Sequence, residues 1–282
     1  MLESSLPIGT LQCDESSLKL LAKKVLVVIP ARFGSTRFEG KPLALIAGKP
    51  MIQHVVERVA ESLFSEATVV VATDDQRIAT VVESFGGAVQ LTSANHPSGS
   101  DRVWEVAQHY PHLPYVLNLQ GDEPFIKPAA LNALLEQLAQ FVLTNQPAPD
   151  ILTLVTPLAH TVQDLQTALN NPNCVKAVRA ISGQVLYFSR AGIPFVRDDE
   201  PFGTIAGVPQ SFFRHLGVYL YSHSALQRFV CLPPSPLEQL EKLEQLRAME
   251  AGFRIFAAVV PEAPVGVDTP EDLERLRLQV AL

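Results

Sequence analysis

Three cations crowd a loop of small residues near the start of the chain: Arg32, Arg37 and Lys41, spaced by Gly34, Ser35, Thr36 and Gly40. Small residues let backbone N–H groups approach an anion closely. Three fixed positive charges suit an anion with several negative ones, such as a nucleoside triphosphate. The plainer alternative is a solvated basic loop. Farther along, Asp122 follows an apolar run and directly succeeds Gly121. Magnesium takes hard carboxylate oxygens and keeps waters and substrate phosphates as its other ligands, so Asp122 is a candidate metal ligand. The competing use is an aspartate turning the chain before Glu123-Pro124. Asp268 precedes Thr269, Pro270 and Asp272, which already explain a helix start; its carboxylate is either unspent or a redundant cap. Glu238 has a structural role available, because Ser235-Pro236-Leu237-Glu238 is a good capping box. His109 and His112 have no third ligand nearby and read as surface structure. No Ser/His/Asp triad, activated cysteine, Walker loop or G-x-G-x-x-G signature is present.

The elements that must position these residues alternate. Val25 to Ile29 is wholly apolar, the pattern of a strand buried on both faces, and Pro30 ends it because proline gives no N–H to the ladder. Helical spacing of Met51, Val55 and Val59 with Ile52, Val56 and Leu63 predicts a helix over Pro50 to Leu63. Strands are expected at 68–71, 88–91 and 115–119, with helices at 76–84, around 103–109 and at 128–141. The segment Ser93 to Arg102 reads as a polar loop. This is an α/β pattern with a mainly parallel, Rossmann-like sheet, whose ligands belong in the crevice at the carboxyl ends of the strands. Arg32, Asp74 and Asp122 all fall just past strand ends. Asn145 to Asp150 reads as a Pro-rich hinge, followed by strands at 151–156, 175–181, 185–188 and 216–221. Arg197 to Gln210 is a polar loop suited to a lid or a subunit contact. Leu237, Leu240, Leu243 and Leu246 predict one helix of three to four turns, and a strand at 255–260 and a helix at 270–282 close the chain.

With 47% hydrophobic and 18% charged residues over 282 positions, the chain has an ordinary globular composition. A net charge of −7 argues against a general nucleic-acid binder. Cys13, Cys174 and Cys231 show neither a disulfide framework nor zinc spacing, which suits the cytoplasm. No run is long enough to span a bilayer. Residues 1–24 carry no basic n-region and read as a disordered extension or a misassigned start. The expected division is then a nucleotide-binding core at 25–150, a smaller mixed α+β lobe at 151–235 and a returning segment at 236–282.

The order of residues narrows this further. Pro30-Ala31-Arg32, Ser35-Thr36-Arg37 and Gly40-Lys41-Pro42-Leu43 resemble the opening of the 3-deoxy-manno-octulosonate (Kdo) cytidylyltransferases. The resemblance continues through Asn118 to Pro124, Leu186 to Arg190, Arg214 to Gly217, Pro234 to Glu238 and Gly266 to Leu273, covering nearly everything after residue 24. Ser98 to Arg102 matches a further loop of the family, with Ser100 in place of threonine. Glu39 departs from the family's usual proline, and a carboxylate there should weaken triphosphate binding unless it points to solvent.

The resemblance implies CTP-dependent activation of Kdo to CMP-Kdo with release of pyrophosphate, a step toward glycans such as lipopolysaccharide. It implies Arg32, Ser35, Arg37, Lys41, Ser100 and Arg102 near the nucleotide, with Arg32 and Lys41 aiding the transfer. It implies Asp122 and Asp268 holding Mg2+. Gln120, Tyr187, Arg190, His215 and Glu238 fall by motif near the acid sugar, where Arg190 could pair its carboxylate. A homodimer is implied too. Nucleotidyl transfer needs positioning and charge neutralisation rather than a covalent intermediate, and no dedicated general base stands out. Two other readings stay open: a cytidylyltransferase for another acid sugar such as sialic acid, and a non-catalytic nucleotide-binding domain that kept the fold.

Overall fold

A computed structural model of the chain describes residues 13–34, 38–158, 162–197, 211–263, 266–267 and 269–280. Its centre is β1 (Val25–Ala31), buried on both faces as its apolar run predicts: Val25, Val27 and Ile29 enter one hydrophobic cluster, Leu26 and Val28 the other. A 3-10 turn at Lys41–Leu43 and a small hairpin, β2 (Leu45–Ile46) with β3 (Lys49–Pro50), lead into α2 (Met51–Ala60). Before β1 lies α1 (Glu15–Ala22). After α2 come β4 (Thr68–Thr73), α3 (Gln76–Ser84), β5 (Val89–Leu91), α4 (Gly99–Ala107), β6 (Tyr115–Asn118) and α5 (Pro128–Leu143). Then follow β7 (Ile151–Pro157), α6 (Val162–Asn170), β8 (Lys176–Arg179), β9 (Val185–Ser189), β10 (Phe213–Ser222) and α7 (His223–Val230). The chain closes with α8 (Pro236–Glu241), α9 (Gln245–Glu250), β11 (Ile255–Val259) and α10 (Pro270–Val280).

Among the described residues one nine-stranded sheet runs in the order β11-β7-β10-β6-β1-β4-β5, with β8 pairing β10 and β9 beyond it. β1 pairs β4 and β6 in parallel, β4 pairs β5 in parallel, and β11 pairs β7 in parallel. β10 is antiparallel to both β6 and β7. The carboxyl ends of β1, β4, β6, β7 and β11 therefore emerge on one edge, while β10 enters from it. The fold is α/β with a mainly parallel sheet, and helices cover both faces: α1, α2, α3 and α5 on one, α4, α7 and α9 on the other.

The sheet crosses residue 150 without a break. The 145–150 segment is pinned rather than loose, because Asp150 Oδ2 accepts the Arg254 N–H at 2.8 Å. Three expectations are corrected. Residues 13–24, expected within a disordered extension, include α1: Asp14 caps it by accepting the Ser17 N–H at 2.7 Å, and Leu18, Leu21 and Ala22 are buried against the core. Its spacing had been masked by the surrounding acids and serines. The leucine series at 237–246 is not one helix. Lys242 has φ +53°, and the Glu241 carbonyl, which a continuous helix would give to Gln245, instead accepts Arg190 Nε at 2.6 Å. The helix expected from about 103 begins at Gly99, because Ser98 accepts the Asp101 N–H and starts it earlier. Ser100 and Arg102 are thus first-turn helical residues. The expected lid at 197–210 lies outside the described residues beyond Arg197.

Candidate active site

The end of β1 and the end of β6 meet through Gly121. A Cβ there would approach the Pro30 carbonyl oxygen to 2.8 Å, so only glycine lets the two loops touch. Gly40, at φ +67°, closes the loop after β1 by donating to the Phe33 carbonyl at 2.9 Å. That closure sets up Lys41. Its Nζ donates to Asp122 Oδ2 at 2.7 Å and to the Val267 carbonyl at 2.8 Å. Val267 in turn donates its N–H to the Asp122 carbonyl at 3.1 Å. Three segments far apart in sequence are thereby joined at one point on the sheet edge. Asp268, the other expected metal ligand, lies outside the described residues. Ser35 and Arg37 lie outside them as well.

Arg32 directly follows β1, with Asp74, Asp101, Arg102 and Glu244 as its charged neighbours. Burial lowers its pKa, helped by the nearby Arg102 and opposed by Asp74, Asp101 and Glu244. One of its buried guanidinium nitrogens, Nη2, has no hydrogen-bond partner. An unsatisfied buried cationic N–H is costly, and an oxyanion would relieve it. Glu39, by contrast, is exposed, the condition under which its charge is harmless to that anion.

Arg102 faces the other way. It is wholly buried and donates to Asp74 Oδ2 at 2.7 Å and to Thr92 Oγ1 at 2.6 Å, so in this conformation it braces the wall behind Arg32. Ser100 is also buried and donates to Glu244 Oε2 at 3.2 Å. Gln120 lies next to Gly121 and donates to Asn118 Oδ1 at 3.2 Å.

Of the other residues assigned by motif to the sugar side, His215 lies on β10, Tyr187 on β9, Arg190 just past β9 and Glu238 on α8. His215 is buried, its Nε2 3.0 Å from Thr153 Oγ1, and burial drives its pKa down to about 3, so the ring is neutral. Its ring packs on Phe188 and Tyr219. Arg190 donates Nη1 to the Pro172 carbonyl at 2.8 Å and Nε to Glu241, which leaves little of the fork for a carboxylate in this conformation. Glu238 completes the expected capping box with Ser235 and pairs with Arg247 at 3.0 Å. Tyr187 is half-buried on β9, beside Glu241 and Glu250.

Three residues near the crevice were not singled out from the sequence. Glu123 has a buried, unpartnered Oε2, and burial with the neighbouring Asp122 charge pushes its pKa to about 8. Tyr219 is pushed well up by burial, with Tyr221, Glu244 and Glu123 adding. Glu244 is raised by burial and drawn back by Ser98, Ser100 and Arg247. Tyr219 was findable, standing on the same face of β10 as His215 at strand spacing. Glu244 sits between α8 and α9, inside a leucine series that gives no such sign.

The donor set suits a magnesium ion in chemistry. The Asp122 carboxylate and the Val267 carbonyl are hard oxygens already gathered around a cation, the Lys41 ammonium. Magnesium keeps waters and substrate phosphates as most of its ligands, so one or two protein oxygens are enough.

A family model described as Cytidylyltransferase matches residues 26–255. The 3-deoxy-manno-octulosonate cytidylyltransferase of Geobacter sulfurreducens is 46% identical over 89% of this chain and 97% of its own. That of Alteromonas mediterranea is 47% identical, over 89% and 97%. A solved CMP:2-keto-3-deoxy-manno-octonic acid synthetase complexed with CTP superposes with a TM-score of 0.78 at 40% identity, covering 91% of this chain and 98% of that one. A glucose-1-phosphate thymidylyltransferase from Bacillus anthracis shares the fold alone, with a TM-score of 0.59 at 14% identity. With a family model matched over residues 26–255 and relatives 46–47% identical over 89% of its length, the chain belongs to the 3-deoxy-manno-octulosonate cytidylyltransferase family.

Proposed function

We propose that this protein activates Kdo with CTP, giving CMP-Kdo and pyrophosphate. The observation that carries the reading is the junction of Lys41, Asp122 and Val267 at the sheet edge where β1 ends and Arg32 follows, its Nη2 without a hydrogen-bond partner. It is a polyanion site with a carboxylate at its centre, in a chain whose CTP-bound structural relative covers nearly its whole length.

The anomeric hydroxyl of the sugar attacks the α-phosphorus in line, the new P–O bond forms, and the bond to the β-phosphate oxygen breaks. The hydroxyl proton passes to solvent or to a phosphate oxygen. Arg32, Arg37 and Lys41 bind the triphosphate and neutralise charge on the departing pyrophosphate. Asp122 with Asp268 would hold a magnesium ion, which would supply further charge neutralisation at the phosphates and lower the pKa of the hydroxyl. Asp74 and Thr92 hold Arg102, which keeps the Arg32 wall in place. The sugar lies toward Gln120, Tyr219 and Glu244, with the neutral His215 ring behind them. A homodimer fits the exposed apolar side chains of the second lobe and α8, Leu186, Phe195 and Leu240. The three unpaired cysteines suit the cytoplasm.

The test is pyrophosphate release from CTP and magnesium with a panel of acid sugars. Release that requires Kdo supports the reading; release with sialic acid moves the substrate; binding of CTP without release under any sugar returns the protein to the non-catalytic reading.

A further inference from the structure

The Lys41 ammonium occupies the place a divalent cation would take. It is 2.7 Å from Asp122 Oδ2 and 2.8 Å from the Val267 carbonyl, ordinary distances for a charge-assisted N–H···O bond. The two oxygens are fixed relative to each other by the Val267 N–H to Asp122 carbonyl bond. They form a ready oxygen pair, and a magnesium ion would need to approach it at about 2.0–2.1 Å. An ammonium and a divalent ion cannot share it, because like charges at such separation repel strongly.

We infer that Lys41 is a resident counter-cation: without nucleotide its ammonium holds the metal position against Asp122, and it moves to the triphosphate when metal and nucleotide bind together. The inference rests on the metal assignment proposed above. Three features support an exchange over a fixed salt bridge. The Lys41 side chain is only 12% exposed, so the pair is sheltered enough to compete with an ion. Asp122 is more open, at 36%, which leaves an ion access. The lysine stem is flexible, and its backbone is anchored in the 3-10 turn, where the Ala44 N–H donates to the Lys41 carbonyl at 3.1 Å, so the head can change partner while the loop stays. The consequence is synergy. CTP draws the ammonium away and strengthens metal binding, and by linkage the metal strengthens CTP binding by the same factor.

The test is Mn2+ binding to the nucleotide-free full-length protein, followed by the EPR signal of the free aquated ion. Wild type is expected to bind weakly. Lys41→Met and the neutral Lys41→Gln are each expected to bind about tenfold more tightly, since a charge-assisted competitor has been removed. Lys41→Arg keeps the charge and is expected to stay within about twofold of wild type. Asp122→Asn should abolish binding in both backgrounds. If both neutral variants bind Mn2+ no more tightly than wild type while Asp122→Asn still abolishes binding, the exchange is wrong and the metal site stands. If the arginine variant gains as much as the neutral ones, charge is not the competitor and the inference fails. If Asp122→Asn leaves Mn2+ binding intact, the metal assignment itself falls and takes the inference with it.

Discussion

On the β1–β6 side of the crevice, polar groups from distant segments face one another at a shared edge: Lys41 with Asp122 and Val267, Arg32 with a guanidinium nitrogen left over. On the β9–β10 side, residues that look equally functional by motif are already satisfied within the wall. Arg190 is spent on backbone carbonyls, Glu238 on Ser235 and Arg247, and His215 on Thr153. The difference is one of exchangeability. A charged pair with solvent access can trade partners with a ligand, whereas a buried neutral ring or a carboxylate fixed by a cap holds geometry. Motif residues on the first side should therefore govern turnover, and those on the second side should govern stability.

The sharpest way to break that contrast is Asp122→Asn. Turnover should fall by at least about a hundredfold, as when a group stabilising transition-state charge is lost, with the melting temperature little changed. A variant that melts early but turns over normally once folded would reverse the comparison.

His215 should respond through pH. Its ordinary pKa of 6.5 is lowered by burial to about 3, so the unfolded chain takes up a proton that the native state refuses. The contribution is fully present above pH 6.5 and is lost as pH falls from 6.5 toward about 3, at up to about 1.4 kcal/mol per pH unit. Urea midpoints between pH 8 and 4 should show this slope in wild type and its loss in His215→Gln. An unchanged slope would mean that the ring is not buried neutral.

Glu238→Gln should cost about 1 kcal/mol through the weakened cap, a fall of about 2–4 °C in Tm, with KM for the sugar unmoved. A raised KM with Tm intact would place Glu238 on the ligand instead. Glu39→Ala should have the smallest effect: because Glu39 is exposed, KM for CTP should change by no more than about twofold. A larger improvement would mean that the carboxylate reaches the phosphates.

Local pattern carried much of the fold. The apolar run of β1 set the central strand, helical spacing placed α2, and the helices expected at 76–84, 128–141 and 270–282 lie close to α3, α5 and α10. The Ser235–Glu238 capping box was readable because all of its partners lie within four residues. The order of cations in the β1 loop and the aspartate after Gly121 also stood in the chain itself, since side-chain types at strand ends depend on local sequence alone. Tertiary structure decided the rest. That Lys41 would meet Asp122, 81 residues away, and the Val267 carbonyl, 226 away, depends on where the sheet edge brings three loops together. Arg190 breaking the leucine helix at Glu241, and Arg102 turning inward to Asp74, are likewise long-range bonds that override local periodicity. Residue type and spacing fix what a side chain can do; which partner it meets is settled by packing, because hydrogen bonds and ion pairs act only across a few ångströms of space.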